Sequence, residues 1–346
     1  MRLCGAGMGG AVDIEALRER ARIIRRARAF FDGRGYLELD TPILAPDLIP
    51  ESCLEVFETR RILPSGAEAP CWLVPSPEIW MKKVIARHRA SAYQICKCFR
   101  NGESSGRLHS PEFTMLEYYT MGAGCMDSLD LTEELLARLS EGLECEGRMA
   151  PFERVTMDDA FRRHAGFGLF AAAAKPGELE AHARRLGLEP RPGEGAAALF
   201  DLIFVHAVEP ALRESPRPVA LLEYPAFAPC LALPAAPKPG AGGAAGGPAG
   251  GSAERWELYF RGIELANCFS EETDAGRVRA FFEGEAREKE RRALVRHAVD
   301  GDYWKIFGGP EPFPRCSGVA MGMDRLIMAL LGKSSIDAVL PFPMGG

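Results

Sequence analysis

The chain has 346 residues, of which 47% are hydrophobic and 26% charged, and its formal net charge is −6. This composition is typical of a soluble globular enzyme and argues against a general nucleic-acid binder, which needs a positive surface. No apolar run is long enough to span a bilayer, and no signal-peptide pattern begins the chain. The ten cysteines include no C-x-x-C pair, which disfavours a zinc site and favours a reduced, cytoplasmic setting.

The chain opens with a ragged segment followed by a helical pattern. We expect residues 1–12 to be a disordered tail and residues 13–346 to form a single domain. Asp13 is the expected N-cap of the first helix, and Gly33 is expected to end it. Apolar residues at helical spacing define a stripe that we expect to be buried, made up of Ile14, Leu17, Ala21, Ile24 and Phe31. We interpret the arginines between them as a solvated face.

The rest of the chain alternates helices with strand pairs. A strand-like piece precedes Ser76-Pro77-Glu78 and a helix, and a hairpin follows, with "FRNGESSGRLHSPEFTMLEYY". Residues 155–215 are mostly helical in pattern. The Gly/Ala/Pro-rich segment at about 235–252 cannot build a core, so we expect a flexible loop. Helices interleaved with hairpins favour an α+β fold with an antiparallel sheet flanked by helices.

The second strand of that hairpin carries an unusual mixture of side chains. Side chains alternate between the two faces of a strand, so Phe113, Met115, Glu117 and Tyr119 share one face. Arg100 lies across the loop from them. An aromatic ring can stack on a flat ligand, a carboxylate and a phenol can hold an ammonium, and a guanidinium suits phosphate or carboxylate. The pattern predicts a pocket floor; the alternative is a half-buried sheet with an edge glutamate.

A second hairpin, "WELYFRGIELANCFSEET", carries two carboxylates. Arg261-Gly262 is the expected two-residue turn, with glycine supplying positive φ. The register this turn sets places Glu257 and Glu264 on one face, roughly 7 Å or less apart. Carboxylates this close repel unless a cation lies between them, and Mg²⁺ with substrate phosphates suits such ligands. Simple alternation puts Asn267 on the other face, so a bulge or strand end is needed if it shares a pocket with Glu264.

The third informative stretch is "CSGVAMGMDRLIMALLGKSSIDAVLPFP". Residues 318–322 are predicted to be a short strand, and residues 323–331 a helix closed by Gly332. Arg325 then lies in the first turn of this helix, where an anion could bind. The alternative is a surface arginine on a core helix.

One motif suggests a different class of enzyme. "GESSG" at residues 102–106 matches G-x-S-x-G, the pattern around a hydrolase nucleophile, which would be Ser104. That motif needs a helix directly after the serine. Pro111 and strand-like alternation follow instead, so we disfavour the hydrolase hypothesis.

Together these stretches resemble the class II aminoacyl-tRNA synthetases. "LELDTPIL", "FRNGESSGRLHSPEFTMLEYY" and "GVAMGMDRLIMALLG" are similar to their motifs 1, 2 and 3, and "LVPSPEIWMKK", "GIELANCFSEETDA" and "SSIDAVLPFP" resemble the lysine branch. Motif 1 begins almost at the start, which leaves no room for an anticodon-binding domain. The chain therefore resembles the stand-alone elongation factor P–(R)-β-lysine ligase family. The stretch "ERWELYFRGIELAN" is also similar to that family, and so is Ala320, a position where the lysine branch usually has glycine.

The resemblance implies a set of site residues. Catalytic roles fall to Arg100, for the α-phosphate and substrate carboxylate, and Arg325, for the γ-phosphate; Glu257 and Glu264 would hold Mg²⁺. The residues implied to bind ATP are Arg100, Asn101, Glu103, His109, Ser110, Phe113, Glu264, Leu265, Gly322 and Arg325. Those implied to bind the amino acid are Ser76, Pro77, Glu78, Glu117, Tyr119, Asn267, Glu271 and Ala320. Gly102 departs from the family pattern, which reads R-N-E directly, and Ser110 stands where asparagine is usual.

The implied function is that of a cytoplasmic, homodimeric ligase using ATP and Mg²⁺. It would activate (R)-β-lysine or lysine as an aminoacyl-adenylate and transfer it to a lysine ε-amine of elongation factor P. One alternative is a truncated lysyl-tRNA synthetase acting on tRNA. Another is an inactive synthetase-like binding subunit, whose signature would be loss of Arg100, Arg325 or the Glu257/Glu264 pair; all four residues are present.

Overall fold

The computed structural model describes residues 13–102, 106–236 and 251–343. Helices in this part of the chain are α1 (Ile14–Asp32), α2 (Glu78–His88), α3 (Cys125–Ser140), α4 (Met157–His164), α5 (Leu169–Ala173), α6 (Glu178–Arg185), α7 (Ala196–Ile203), α8 (Ala275–Arg292) and α9 (Met323–Leu330). The strands are β1 (Leu37–Glu38), β2 (Leu44–Ala45), β3 (Phe57–Ile62), β4 (Glu68–Leu73), β5 (Ala92–Phe99), β6 (Glu112–Met121), β7 (Glu153–Thr156), β8 (Val219–Pro225), β9 (Ser252–Phe260), β10 (Ile263–Ser270) and β11 (Cys316–Gly322). Short 3₁₀ helices are Glu209–Glu214, Tyr303–Phe307 and Ile336–Val339, and Phe204–Val208 is a π turn.

A large sheet dominates the fold. Within the described ranges it has eight strands in the order β1-β5-β6-β11-β10-β9-β8-β7, and β2-β4-β3 form a smaller sheet. The central pairs are antiparallel, while the edge pairs β1–β5 and β7–β8 are parallel. The prediction of an α+β fold with a mainly antiparallel sheet flanked by helices is confirmed.

The two faces of the large sheet are covered differently. On one face Leu116, Tyr118 and Val319 belong to a continuous apolar core with residues of α1, α3 and α9. The other face packs against α2 and α8 at one end and against α4 to α7 at the β7–β9 end. Between these two apolar clusters the same face carries the polar residues that form the candidate site.

Helix α1 confirms its predicted ends but not its predicted stripe. The side chain of Asp13 accepts a hydrogen bond from the backbone N–H of Ala16, and Gly33 is the C-cap. Ile14, however, is 57% exposed. The buried residues are Ala16, Ile23, Ala27, Phe30 and Phe31. Phe31 is therefore buried as predicted, and its ring stacks on Tyr93 of β5 at 4.8 Å, whereas the rest of the buried face is rotated from the predicted stripe.

The second hairpin has the predicted turn. Arg261 and Gly262 both have positive φ, 51° and 72°, as a two-residue hairpin with the right-handed strand twist requires. Glu264 pairs with Tyr259, but the register then shifts, and Asn267 pairs with Glu257. Leu265 is therefore the extra residue of a β-bulge.

Several sequence expectations lie outside the described residues. These are the disordered tail at residues 1–12, the roles of Glu103 and Ser104, and the flexibility of residues 237–250. The context of the hydrolase motif is described, however: β5 ends at Phe99 and the next regular element is strand β6, where a nucleophile elbow requires a helix. No helix among the described ranges is long and apolar enough to cross a membrane.

Candidate active site

The polar face is built from strand residues in register. One row crosses five strands of the sheet and consists of Gln94, Glu117, Ala320, Asn267 and Glu257. Residues that pair across a sheet point to the same face, so these side chains share one surface. The predicted common face of Phe113, Met115, Glu117 and Tyr119 is part of the same surface.

The bulge at Leu265 brings Glu264 and Asn267 to one cavity. Without the extra residue, the two side chains would point to opposite faces of β10. Both of them line a cavity of about 110 Å³ beside β6, β11 and the start of α9. The sequence predicted that a bulge or strand end is needed for this arrangement, and the structure contains the bulge.

Most of the residues implied to bind ATP line this cavity. They are Arg100, His109, Ser110, Phe113, Glu264, Leu265, Gly322 and Arg325. Asn267 and Ala320, implied to contact the amino acid, line it too. Asn101 does not: its side chain donates to the Val56 carbonyl oxygen at 3.3 Å and accepts from the Gly102 N–H at 2.9 Å. Pro77 is buried at the start of α2, where it contributes the N-cap.

The two predicted catalytic arginines reach the cavity from different elements. The guanidinium carbon of Arg100, which follows β5, lies 5.2 Å from the centre of the Phe113 ring. Arg325, in the first turn of α9, donates to the backbone carbonyl oxygens of Leu108 at 3.2 Å and Glu264 at 3.1 Å. Both cations are thus held where an anionic ligand in the cavity would meet them.

Asp324 and Arg20 were not predicted as part of the site. The buried carboxylate of Asp324 accepts from the Thr114 backbone N–H at 2.7 Å and pairs with Arg20 at 2.7 Å. The side chain of Arg20 is only 12% exposed, so the solvated-face prediction is wrong for this arginine. These contacts tie α1, β6 and α9 together and fix the turn that carries Arg325. The Asp-Arg pair in "GMDR" was the available sequence signal.

The predicted metal ligands present two carboxylates on one sheet face. Glu257 pairs with Arg255 and accepts from the Tyr259 hydroxyl at 2.7 Å, and Glu264 lies 3.6 Å from Arg325. Burial within the cavity walls, and then the nearby charge of Glu257, raise the pKa of Glu264. The described residues contain no group of three or more metal-ligating side chains. Two carboxylates suit Mg²⁺ when substrate phosphates complete the coordination, so this donor set fits that ion together with a nucleotide.

At the other end of the face, three predicted substrate residues form one hydrogen-bonded group. The buried carboxylate of Glu117 accepts from the Ser76 hydroxyl and from the Tyr119 hydroxyl, each at 2.7 Å. Ser76 also accepts from the Glu78 backbone N–H at 3.0 Å, which places the first turn of α2 over β6. Burial, and then the charge of Glu78, raise the pKa of Glu117 to about 8.

Lys82, which the sequence analysis missed, lies between two other predicted substrate residues. Its ammonium is 2.7 Å from a carboxylate oxygen of Glu78 and 2.7 Å from one of Glu271. Lys82 is 1% and Glu271 2% exposed. Burial raises the pKa of Glu271 to about 7, although Lys82 opposes the shift. The i, i+4 spacing of Glu78 and Lys82 on α2 was the signal that could have pointed to it.

Gly318 is a second residue that was not predicted as part of the site. It pairs with Tyr119 and with Phe269 in the adjacent strands. A Cβ at this position would collide with a carboxylate oxygen of Glu271 and would lie 2.5 Å from the Tyr119 ring. Only glycine therefore leaves room for both side chains above β11.

Comparison with known proteins agrees with this geometry. The chain belongs to the family of class II tRNA synthetases (D, K and N), which matches residues 13–345. Within that class it is similar to proteins named elongation factor P–(R)-beta-lysine ligase. The relative from Mannheimia succiniciproducens is 35% identical over 331 residues, covering 95% of each chain. Those from Yersinia enterocolitica and Klebsiella pneumoniae are 34% and 35% identical and cover 96% and 95% of each chain. The predicted resemblance to this family of ligases is confirmed.

Proposed function

We propose that this protein activates (R)-β-lysine or lysine with ATP and transfers the acyl group to a lysine ε-amine of elongation factor P. The observation that carries the proposal is the single polar face of the sheet. One end presents Arg100 and Arg325 to a cavity, and the other presents the buried carboxylates of Glu117 and Glu271. A substrate with an ammonium at one end and a carboxylate at the other fits between them.

The nucleotide would bind at the arginine end. Phe113 offers a ring for adenine, Arg100 a guanidinium for the α-phosphate and Arg325 one for the γ-phosphate. Glu257 and Glu264 would hold Mg²⁺, which in such sites neutralises charge on the phosphates of the reacting nucleotide. Because the arginines are already held in place, they can stabilise the transition state without reorganising.

The reaction has two steps. The substrate carboxylate attacks the α-phosphorus of ATP, the bond to the bridging oxygen breaks, and pyrophosphate leaves. An acceptor amine in its free-base form then attacks the acyl carbon, the bond to AMP breaks, and the amine proton passes to solvent. The chain's own contribution is the positioning of both substrates, with Asn267 near the reacting carboxylate and Glu78 near the adjacent amine.

The names of the relatives support elongation factor P as the acceptor. Each of the relatives described above covers nearly the whole chain at 34–35% identity. The net charge of −6 also gives no general attraction to tRNA, whose binding depends on phosphate neutralisation. Since ATP and elongation factor P both occur in the cytoplasm, we place the reaction there.

A competition experiment tests the proposal. The enzyme is mixed with ATP, labelled amino acid, bulk tRNA and unmodified elongation factor P, and protein is then separated from RNA. We expect label on the factor, with pyrophosphate exchange that requires Mg²⁺ and lysine or (R)-β-lysine. Label on RNA alone would favour a tRNA-charging enzyme. No exchange with either amino acid would support an inactive binding subunit.

We further propose a homodimer that forms through the motif 1 region. Leu37, Ile43 and Leu44 are large apolar residues exposed at 50%, 42% and 41%, and they cluster in sequence around β1 and β2. Exposed apolar patches of this kind mark association surfaces. Light scattering should give twice the monomer mass, and Leu44→Asp should reduce it.

A further inference from the structure

The amino-acid end of the site contains a buried cation that the proposed function does not use. Lys82 projects from α2 one turn after Glu78, and its ammonium lies 2.7 Å from both Glu78 and Glu271. Burying a lysine is unfavourable unless its charge is fully compensated. Here the compensation comes from the same carboxylates that are predicted to receive the amines of the substrate.

We propose that Lys82 is a positioning residue of the amino-acid subsite, which pairs with both Glu78 and Glu271 and holds their carboxyl groups in place for a substrate with two ammonium groups. The inference rests on the proposed function for the identity of that substrate. It adds a residue that would not touch the substrate itself and a physical reason why the subsite selects diamines.

The charges of the subsite support this role. Glu78, Glu117 and Glu271 contribute three negative charges when ionised, and Lys82 contributes one positive charge. The remaining two negative charges match the two ammonium groups of lysine or (R)-β-lysine. Without Lys82, three carboxylates in one buried space would favour retaining a proton, because like charges raise one another's pKa.

Lys82 acts on more than one carboxyl of the subsite. It lowers the pKa of Glu271 and that of Glu117, opposing the effects of burial and of Glu78. The titratable groups close to this cluster come from several elements: Glu78 and Lys82 from α2, Glu117 and Tyr119 from β6, Cys98 from β5, Cys316 from β11, Glu271 after β10, Tyr303 from a 3₁₀ helix, and Glu51 before β3. Lys82 therefore supplies a shared positive charge for the acidic groups of the pocket.

The Tyr303 hydroxyl is a second, independent sign that the cluster is arranged for a ligand. Tyr303 is 1% exposed, and its hydroxyl has no hydrogen-bond partner within the described part of the chain. It lies close enough to Lys82, Glu78 and Glu271 to be affected by their charges. A buried hydroxyl needs a partner, which an ammonium-bearing substrate with its surrounding water could provide.

The test compares Lys82→Met with Lys83→Met. Methionine keeps the length of the side chain and removes its charge. Lys83 is the neighbouring lysine on α2, and it pairs with Asp300 outside the cluster. Amino-acid-dependent ATP–pyrophosphate exchange is measured at about pH 6.5 to about pH 8.5, with KM values for amino acid and for ATP.

We expect Lys82→Met to raise the KM for lysine or (R)-β-lysine at about pH 7 by about tenfold, with the KM for ATP nearly unchanged. The increase should shrink as pH rises, because Glu271 then regains the charge that Lys82 no longer favours. Lys82→Arg, which keeps the charge, should retain the wild-type pH profile. Lys83→Met should leave both KM values and the profile unchanged.

Each other outcome contradicts the proposal in a recognisable way. A Lys82→Met enzyme with wild-type amino-acid KM and pH profile overturns it, as does a uniform loss of kcat without a pH shift, which marks a purely structural ion pair. If Lys82→Met does not fold, Lys82→Gln replaces it as the uncharged variant; a wild-type amino-acid KM and pH profile in Lys82→Gln also overturns the inference. If the wild-type enzyme shows no amino-acid-dependent pyrophosphate exchange, the proposed function is overturned, and the inference about Lys82 is overturned with it.

Discussion

The two ends of the polar sheet face hold their charges in different environments. At one end, which we call the nucleotide end after the proposed function, Arg100 and Arg325 border a cavity and approach it from a strand end and a helix start. At the amino-acid end, Glu117 and Glu271 are almost fully buried and their pKa values are raised to about 8 and about 7. The first end presents two guanidinium groups, as the proposed nucleotide site requires. The second depends on protonation, and so on its neighbours.

The largest effect is expected at the nucleotide end. Arg100→Ala and Arg325→Ala should each slow adenylate formation by about 10²–10³, the usual loss when one preorganised charge contact is removed. Arg325→Ala should leave amino-acid binding intact, since its contacts lie around Glu264 and Leu108. Single-turnover measurement of the adenylate checks both variants.

Ser104→Ala is the matched control in the same loop region of the sequence. It should retain near-normal rates. If Ser104→Ala lost activity while Arg100→Ala kept it, the hydrolase hypothesis would be favoured. Arg100 would then not mark a nucleotide end of the site.

A substitution on β11 should disturb the amino-acid end sterically and leave the nucleotide end unaffected. Gly318→Ala places a methyl group 2.5 Å from the Tyr119 ring, so either the ring or Glu271 must move. Strain of about 1–3 kcal/mol, if expressed in binding, raises the amino-acid KM by roughly 5- to 150-fold. Gly322→Ala, on the same strand at the nucleotide end, meets Arg325 only at an ordinary contact distance of 3.8 Å.

Kinetics of these two variants therefore sharpen the comparison. Gly318→Ala should alter the KM for the amino acid and spare that for ATP, whereas Gly322→Ala should leave the amino-acid KM unchanged. Equal effects of both variants on both substrates would show that the two ends are not independent. Melting temperatures of the variants distinguish a local effect from general destabilisation.

The sequence predicted the nucleotide end more completely than the amino-acid end. Local patterns sufficed for the Arg261-Gly262 turn, the strand before α9 and the common face of Phe113 and Glu117, because each depends on neighbours in the chain. The buried ion pairs Lys82–Glu271 and Arg20–Asp324 join residues separated by most of the sequence. Local spacing can suggest a pair such as Glu78–Lys82 on one helix, but it does not show which cation is buried against a distant partner, and this is why Arg20 of α1 was misinterpreted.

The pH dependence of amino-acid binding is the next test of the difference between the two ends. A pKa of about 8 means that Glu117 is largely protonated at neutral pH in the free site. An ammonium prefers the ionised form, so amino-acid binding near pH 7 should release a proton. The amino-acid KM should then fall by up to about tenfold per pH unit as pH rises toward 8, and level off above it.

Calorimetry in buffers of different ionisation enthalpy measures that proton directly. Glu117→Gln should reduce the proton release to the share of Glu271 while weakening binding at every pH. The KM for ATP serves as the internal control, since no carboxyl of the amino-acid end contacts the nucleotide cavity. A KM for the amino acid that stays flat from pH about 6 to about 8.5 would contradict the raised pKa of Glu117.

The smallest effect on stability and kinetics is expected from shortening a segment that belongs to neither end of the site. Residues 237–250 are almost entirely Gly, Ala and Pro, and the residues that flank them meet in the structure. The backbone N–H of Ala235 donates to the Ser252 carbonyl oxygen at 2.8 Å, and that of Ala226 to Gly251 at 2.9 Å. Loop closure depends weakly on length, so a linker of about four Gly and Ser residues should change the melting temperature and both KM values very little.

A deletion that extends further back should behave differently, and this contrast makes the prediction specific. The backbone of Leu231 accepts from the Glu272 N–H at 2.9 Å, and the N–H of Leu233 donates to Ser270 at 2.8 Å. These bonds hold the chain on both sides of Glu271, so removing residues 231–236 as well should raise the amino-acid KM and spare the KM for ATP. A large drop in melting temperature from the short deletion alone would instead show that residues 237–250 are packed against the fold. Equal, small effects of both deletions would mean that the position of Glu271 depends on Lys82 and β11 without support from this segment.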